Sequence, residues 1–248
     1  NCSLATILTD FAPHEQWLIG NEYIDYFFVA HDEMKKDLIE HNIDSNKIYV
    51  TGIPISDRFT SDFDNSLIYK EFNLNKEDPI ALFFGGGEYG LGKDKTLKIL
   101  KALLTVKKNI QVIAISGKNE KMKTAFDNLS LELNVSNRLH ILEYTDKVPE
   151  LMHISNIVIT KPGGLTSSES MASHLPMIII NPIPGQEEEN ADFLEKSGVA
   201  KRIRNVDEAE SITSSIFESD EILNKMKFNC EKLAKPFSTK TICNILLN

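Results

Sequence analysis

Between Lys161 and Asp192 the chain carries residues whose types and order suit the binding of an anion and a neighbouring diol. An apolar run, Ile154–Thr160, reads as a strand and leads into Lys161-Pro162-Gly163-Gly164, where proline and paired glycines force a tight turn. Leu165–Ala172 then reads as a helix with Thr166, Ser167 and Ser168 in its first turn. Met177–Asn181 reads as the next strand, closed by Pro182-Ile183-Pro184-Gly185. Strand, glycine-rich turn, helix and strand in that order aim free backbone N–H groups at an anion. Gly163, Gly164, Leu165 and Thr166 are therefore candidate diphosphate contacts, and a helix cap by Thr166 or Ser167 can coexist with that role. Glu169 falls one turn inside the helix, where its carboxylate can accept hydrogen bonds from a diol such as ribose. A helical glutamate is otherwise ordinarily exposed. Gln186, Glu187 and Asn190 open the following helix and offer more partners for hydroxyls, whereas Glu188 and Glu189 read as its solvated face. The whole stretch reads as a site for a nucleotide sugar.

A second glycine-rich segment, Gly85-Gly86-Gly87-Glu88-Tyr89-Gly90-Leu91-Gly92, follows a predicted strand and precedes a predicted helix. Its glycines permit close approach to a phosphate, which makes Gly86, Gly87 and Glu88 candidate contacts to a donor phosphate or to the transition state. No Gly-Lys-Ser/Thr ends the loop, so it is not a Walker A loop. The acidic residue of a dinucleotide site is also missing, since the next strand ends Ile113-Ala114-Ile115-Ser116. His31, His41, His140, His153 and His174 are scattered without metal-ligand spacing. Asp62-Phe63-Asp64 mimics a metal-binding DxD but lies in a polar linker, so neither a metal nor a cofactor is expected.

These residues need a scaffold, and the pattern of apolar runs supplies one. Leu4–Leu8, Tyr26–Ala30 and Lys47–Val50 read as strands, with a helix over Asp32–Asn42 capped by Asp32. Residues 60–78 look like a connector with a short helix through Phe72. A second series follows: strand Ile80–Phe84, helix Lys93–Lys107, strand Ile110–Ile115, helix Glu120–Leu129, strand Leu139–Glu143 and helix Val148–His153. A short strand near Val199–Arg202 and a helical tail from Glu208 to Asn248, interrupted by Pro236, complete it. Strands alternating with helices of this length imply an α/β fold with parallel sheets covered on both faces. Two Rossmann-like units are expected to face a cleft: residues 1–75, lacking their opening strands, and residues 76–235, with a C-terminal helix over 236–248.

Composition narrows the partners. Of 248 residues, 42% are hydrophobic and 25% charged, ordinary proportions for a globular protein. A net charge of −9 argues against nucleic acid, and an anionic ligand must be held by local amides rather than by a bulk field. No apolar run approaches the ~20 residues of a membrane span, and no signal peptide is visible. Three cysteines without CxxC spacing point to a reduced, cytoplasmic setting. The absence of an initiator Met, with a strand beginning almost at once, reads as an N-terminal truncation.

The segments Thr160-Lys161-Pro162-Gly163-Gly164-Leu165-Thr166-Ser167-Ser168-Glu169 and Gly185-Gln186-Glu187-Glu188-Glu189-Asn190 resemble the donor half of family 28 glycosyltransferases. Thr9-Asp10-Phe11 with His14 and Trp17, Thr51-Gly52-Ile53-Pro54-Ile55, and Gly85-Gly86-Gly87-Glu88 fit as well, and the order looks more like the glycolipid branch than the peptidoglycan branch. The resemblance implies a GT-B fold with its first unit incomplete, and inverting transfer of a hexose from UDP-glucose or UDP-galactose to a lipid acceptor such as diacylglycerol. It implies Glu169 as ribose ligand, Gln186, Glu187 and Asn190 as sugar contacts, and the backbone at Thr145 as the reader of uracil. Ser56 departs from the pattern, since many relatives carry Arg there; Arg58 either takes its place or is a surface charge. The family's glycine-rich loop with its proposed base histidine has no counterpart here, leaving Asp10 and His14 as acceptor-side candidates. Phe11, Trp17, Leu18 and Ile19 are available to a lipid or membrane surface, with core packing expected for at least half of them. The implied location is cytoplasmic, peripheral at the inner face of the cell membrane. The alternatives are the N-acetylglucosaminyltransferase of peptidoglycan precursor synthesis and a nucleotide-sugar-binding module without activity.

Overall fold

A computed structural model describes residues 2–12, 14–85, 92–106 and 109–247. Gly86, Gly87 and Glu88 lie outside the described residues. Two parallel sheets organise the chain. Strands β1 (Ala5–Ile7), β2 (Tyr26–Val29) and β3 (Ile48–Val50) form the first, in that order. The second holds β4 (Ile80–Phe84), β5 (Gln111–Ile115), β6 (Leu139–Leu142), β7 (Ile157–Thr160), β8 (Met177–Ile180) and β9 (Ala200–Ile203), ordered β6-β5-β4-β7-β8-β9. Helix α1 (Asp32–Glu40) joins β2 to β3, and α2 (Asn65–Glu71) lies between the sheets in sequence. In the second unit α3 (Lys93–Thr105), α4 (Glu120–Leu133), α5 (Val148–Ile154), α6 (Gly164–Ala172) and α7 (Gln186–Lys196) connect successive strands. The tail forms α8 (Ala209–Phe217), α9 (Asp220–Leu233) and α10 (Ser238–Leu247).

The inner strands β4, β5, β7 and β8 are buried along nearly their whole length and read as largely apolar runs, because both faces of the sheet are covered there. Along β4, Ile80 and Leu82 enter one core while Ala81 and Phe83 enter the other, the two-residue alternation of a pleated strand. The first of these cores is continuous with Phe27, Val29, Met34 and Leu38 of the first unit, so apolar packing crosses between the two sheets. The chain returns at its end: Ser238 Oγ donates to the Ile53 carbonyl at 2.7 Å and Thr239 Oγ1 to that of Ile55 at 2.7 Å, docking α10 on the first unit. Gly52, at φ +83°, allows this approach, because a Cβ there would lie 2.3 Å from Lys235 Cβ.

Two boundaries differ from expectation for local reasons. Ile154 ends α5 rather than starting a strand, since Ser155 Oγ donates to the Leu151 carbonyl at 2.6 Å and turns the chain out of the helix. Helix α1 is capped by His31, not Asp32: the His31 ring accepts from the Met34 amide at 3.4 Å, leaving Asp32 in the first turn, where its charge favours the helix dipole.

The functional consequence lies in strand order. Connections from β4 lead one way across the sheet and those from β7 the other, so these two adjacent strands mark the point at which the strand order reverses. At the carboxyl ends of such a switch point lies the crevice in which open α/β sheets bind ligands.

Candidate functional site

Strand β7 ends at Thr160, and Lys161-Pro162-Gly163 delivers the chain to the N-terminus of α6 at this crevice. Gly163 takes the N-cap position, and no side chain among the described residues caps the helix. The expected cap by Thr166 or Ser167 is not made: Ser167 is fully buried, its hydroxyl without a partner. First-turn amides lacking an internal acceptor are free for an external one, and the helix dipole favours an anion there. A Cβ on Gly163 would meet nothing within 4 Å among the described residues. Leu165 is 52% exposed and Thr166 half-buried.

Glu169 sits one turn further on, half-buried, and its carboxylate has no hydrogen bond or ion pair among the described residues. Burial alone pushes its pKa up from 4.5 to about 7. An unpaired carboxylate in such a place lacks a hydrogen-bond donor.

Around it the other candidates divide. Gln186 is exposed at the start of α7, while Glu187 uses one oxygen to accept from the Ile183 amide at 2.7 Å, fixing the loop after β8. Glu188 is not simply solvated, since Arg202 on β9 pairs with it. Thr145, in the loop after β6, accepts from the Lys147 amide at 3.1 Å through its side chain.

Asn190 corrects the expectation of a sugar-hydroxyl contact. It is 0% exposed, and its amide is committed to the protein. Its Nδ2 donates to Asp10 Oδ1 at 2.8 Å and to the Pro162 carbonyl at 3.0 Å, while its Oδ1 accepts from the Phe11 amide at 2.7 Å. Both amide hydrogens are therefore used.

On the first unit, Asp10 follows β1 and is partly exposed. His14 stands 6.0 Å from the Trp17 ring, centroid to centroid, and no hydrogen bond joins it to Asp10 among the described residues. Arg58 is resolved as a structural charge: its guanidinium holds both Glu150 oxygens, at 2.9 and 3.1 Å. Ser56 caps the short 3-10 turn that contains Arg58. Asp64 caps α2 through the Ser66 hydroxyl and amide, bonds that hold its carboxyl below the usual range.

The seam between the units also holds residues that sequence reasoning set aside. The His31 ring stacks on Phe193 of α7 at 4.1 Å between centroids, and Phe11 stacks on Phe193 at 5.1 Å. His31 Nε2 donates to the Phe11 carbonyl at 2.8 Å; burial lowers its pKa and that bond opposes the shift. Together with Met34 these rings line a cavity of about 440 Å³.

Comparison with known proteins agrees with this architecture. Residues 64–233 match the family described as glycosyl transferases group 1, and residues 1–55 match monogalactosyldiacylglycerol (MGDG) synthase. Relatives include processive diacylglycerol beta-glucosyltransferases of Bacillus licheniformis, 34% identical over 236 residues (95% of this chain and 60% of that protein), and of Bacillus subtilis, 32% identical over 241 residues (97% and 61%). The chain thus spans about 60% of the length of these curated relatives. Among solved structures, UDP-GlcNAc 2-epimerase from Neisseria meningitidis bound to UDP-GlcNAc superposes with a TM-score of 0.73 at 16% identity, covering 99% of this chain and 70% of that one. MurG of Acinetobacter baumannii superposes with a TM-score of 0.70 at 13% identity, covering 99% and 67%. At these identities the likeness speaks to the fold, which is the GT-B type with two Rossmann-like units. The glycolipid resemblance read from the motifs is carried by the match over residues 1–55 and by the diacylglycerol-directed relatives. Taken with the glycine turn, the uncapped helix and the strand order around them, the match over residues 64–233 places the chain: it belongs to the group 1 glycosyl transferases.

Proposed function

We propose that this chain forms the donor site and part of the acceptor side of a UDP-sugar-dependent hexosyltransferase whose acceptor is diacylglycerol or its glycolipid. The observation that carries this reading is the uncapped α6 N-terminus beside an unpaired, half-buried Glu169 at the strand-order switch. Amides at Gly164, Leu165 and Thr166 would stabilise the charge that develops on the leaving diphosphate, while Glu169 holds the ribose. A helix terminus contributes only about 0.3–1 kcal/mol when exposed and up to ~2 when sheltered, so the loop after β4 is expected to share the load. Inversion follows from direct attack by a lipid hydroxyl opposite the leaving group, with proton removal by a base. No metal takes part in this scheme.

The test is transfer of radiolabel from UDP-glucose or UDP-galactose to diacylglycerol in mixed micelles, by this chain and by a version extended at its N-terminus, in excess chelator. Labelled glycolipid formed without added cation is the expected result, and the preferred donor names the sugar. An absolute need for magnesium or manganese overturns the amide-cradle account, and sugar release without a lipid product overturns the acceptor assignment.

We place the membrane contact on the first unit, at the inner face of the cell membrane. No helix among the described residues is long and apolar enough to cross a membrane. Phe11 is buried in the core, and Trp17 and Leu18 pack partly against it, but Ile19 and Tyr23 are 79% and 74% exposed on the turns that follow. The surrounding segment is acidic rather than basic, so contact by apolar insertion is favoured over attraction to anionic lipid. Changing Ile19 and Tyr23 together to Asp should lower sedimentation with neutral phosphatidylcholine vesicles by about tenfold or more, since burying each large apolar side chain contributes about 1.5–3 kcal/mol. Unchanged sedimentation would move the contact elsewhere.

A further inference from the structure

One buried amide ties two cleft loops to a helix. Asn190 lies on α7, the helix that opens with Gln186 and Glu187. Its Nδ2 holds the Pro162 carbonyl, immediately before the Gly163-Gly164 turn, and Asp10 Oδ1 on the loop after β1; its Oδ1 holds the Phe11 amide. Asp10 and Phe11 stand 180 and 179 residues away in sequence and belong to the other unit. Where Asp10 Oδ1 is engaged, the amide plane of Asn190 is set, and with it the second N–H that fixes Pro162. The contact is close: the Thr9 carbonyl oxygen would lie 1.8 Å from a Cβ on Gly164. The Asn190 amide, fully buried, cannot give up any of these three partners without leaving a buried polar atom unpaired.

We propose that Asp10, acting through Asn190, is a positioning residue for the donor turn Pro162–Gly164, so that donor affinity in the second unit depends on a first-unit side chain. The inference rests on the donor reading given above and extends it to coupling between the units. Donor binding and the Asp10–Asn190 junction stabilise one another, and by linkage the effect is reciprocal. A first unit correctly seated tightens donor binding, and a bound donor tightens the seam on which the acceptor side is built.

Two variants isolate the hydrogen bond from the charge. Asp10→Asn and Asp10→Ala both remove a negative charge beside an anion site, but only the Asn amide oxygen can still accept from Asn190 Nδ2. Calorimetric titration with UDP is expected to show Asp10→Ala binding about tenfold more weakly than Asp10→Asn. Equal affinities would overturn the proposal, because a charge effect or a general loosening would not distinguish the two. A second measurement uses the unaltered chain: saturating UDP should slow hydrogen exchange at the Phe11 amide as well as at residues 163–166. Protection at 163–166 with none at Phe11 also overturns it. Glu169→Ala serves as the control on the underlying reading. If that variant binds UDP unchanged, the donor assignment itself fails and the coupling falls with it; if it loses binding while the two Asp10 variants match, only the coupling fails.

Discussion

Replacing Glu169 with alanine is expected to weaken UDP and UDP-sugar alike by roughly ten- to hundredfold, because both ligands carry the ribose. Losing a charged hydrogen-bond partner costs about 1.5–3 kcal/mol, which sets that range. The position of the residue also makes a pH signature. Burial raises its pKa from 4.5 to about 7, so the folded state resists its ionisation. The corresponding contribution to stability is fully present below pH 4.5 and is lost as pH rises through about 7. Ligand binding is expected to have the opposite sign, since in the proposed site ribose hydroxyls donate to the ionised carboxylate. UDP affinity should therefore rise between about pH 6 and pH 8, with proton release on binding near neutrality. Glu169→Gln should flatten this dependence. Calorimetry in buffers of different ionisation enthalpy measures both quantities. A folded Glu169→Ala protein with unchanged UDP affinity, or a pH profile shared by wild type and Glu169→Gln, would remove the ribose assignment.

Adding one methyl group at Gly164 should be far more damaging than adding one at its neighbour. A Cβ on Gly164 would stand 1.8 Å from the Thr9 carbonyl oxygen, 2.8 Å from its carbon and 3.2 Å from Ile53 Cδ1. Two of these three are backbone atoms, so no side-chain rotation relieves the clash and the loop after β1 must withdraw. That movement strains the bonds from Asn190 to Asp10 and to the Phe11 amide. Overpacking costs about 1–3 kcal/mol, and a buried donor left unpaired about 1–3 kcal/mol more. Gly164→Ala is thus expected to lose about 3 kcal/mol, or a fall in Tm on the order of 6–12 °C for a chain of this size. Gly163→Ala adds its methyl to open space at φ −67°, where alanine is at ease, and should stay within about 0.5 kcal/mol of wild type. Urea unfolding of the pair decides the matter; equal midpoints would show that the seam yields without cost.

The two glycines were one motif in the sequence and have different tasks in the structure. What the sequence determined by itself was local grammar. Lys161-Pro162-Gly163-Gly164 after an apolar run must turn, and the apolar spacing beyond it must form a helix, so the glycine turn, the helix start and the position of Glu169 inside that helix were readable without coordinates. The same holds for the parallel second sheet, since four-residue runs such as Ile157–Thr160 and Met177–Ile180 are apolar on both faces. Tertiary structure decided which polar groups remain free to meet a ligand. Asn190 shares the inward face of α7 with Ala191 and Leu194, a pattern that the charged run before it obscured. Arg58 is held by a carboxylate 92 residues away, and His31 is set against Phe193. Periodicity reports the face on which a side chain lies, but not the partner from a distant element that meets it there. The commitment of Asn190 to Asp10 and Phe11 therefore became fixed only when the two sheets packed together.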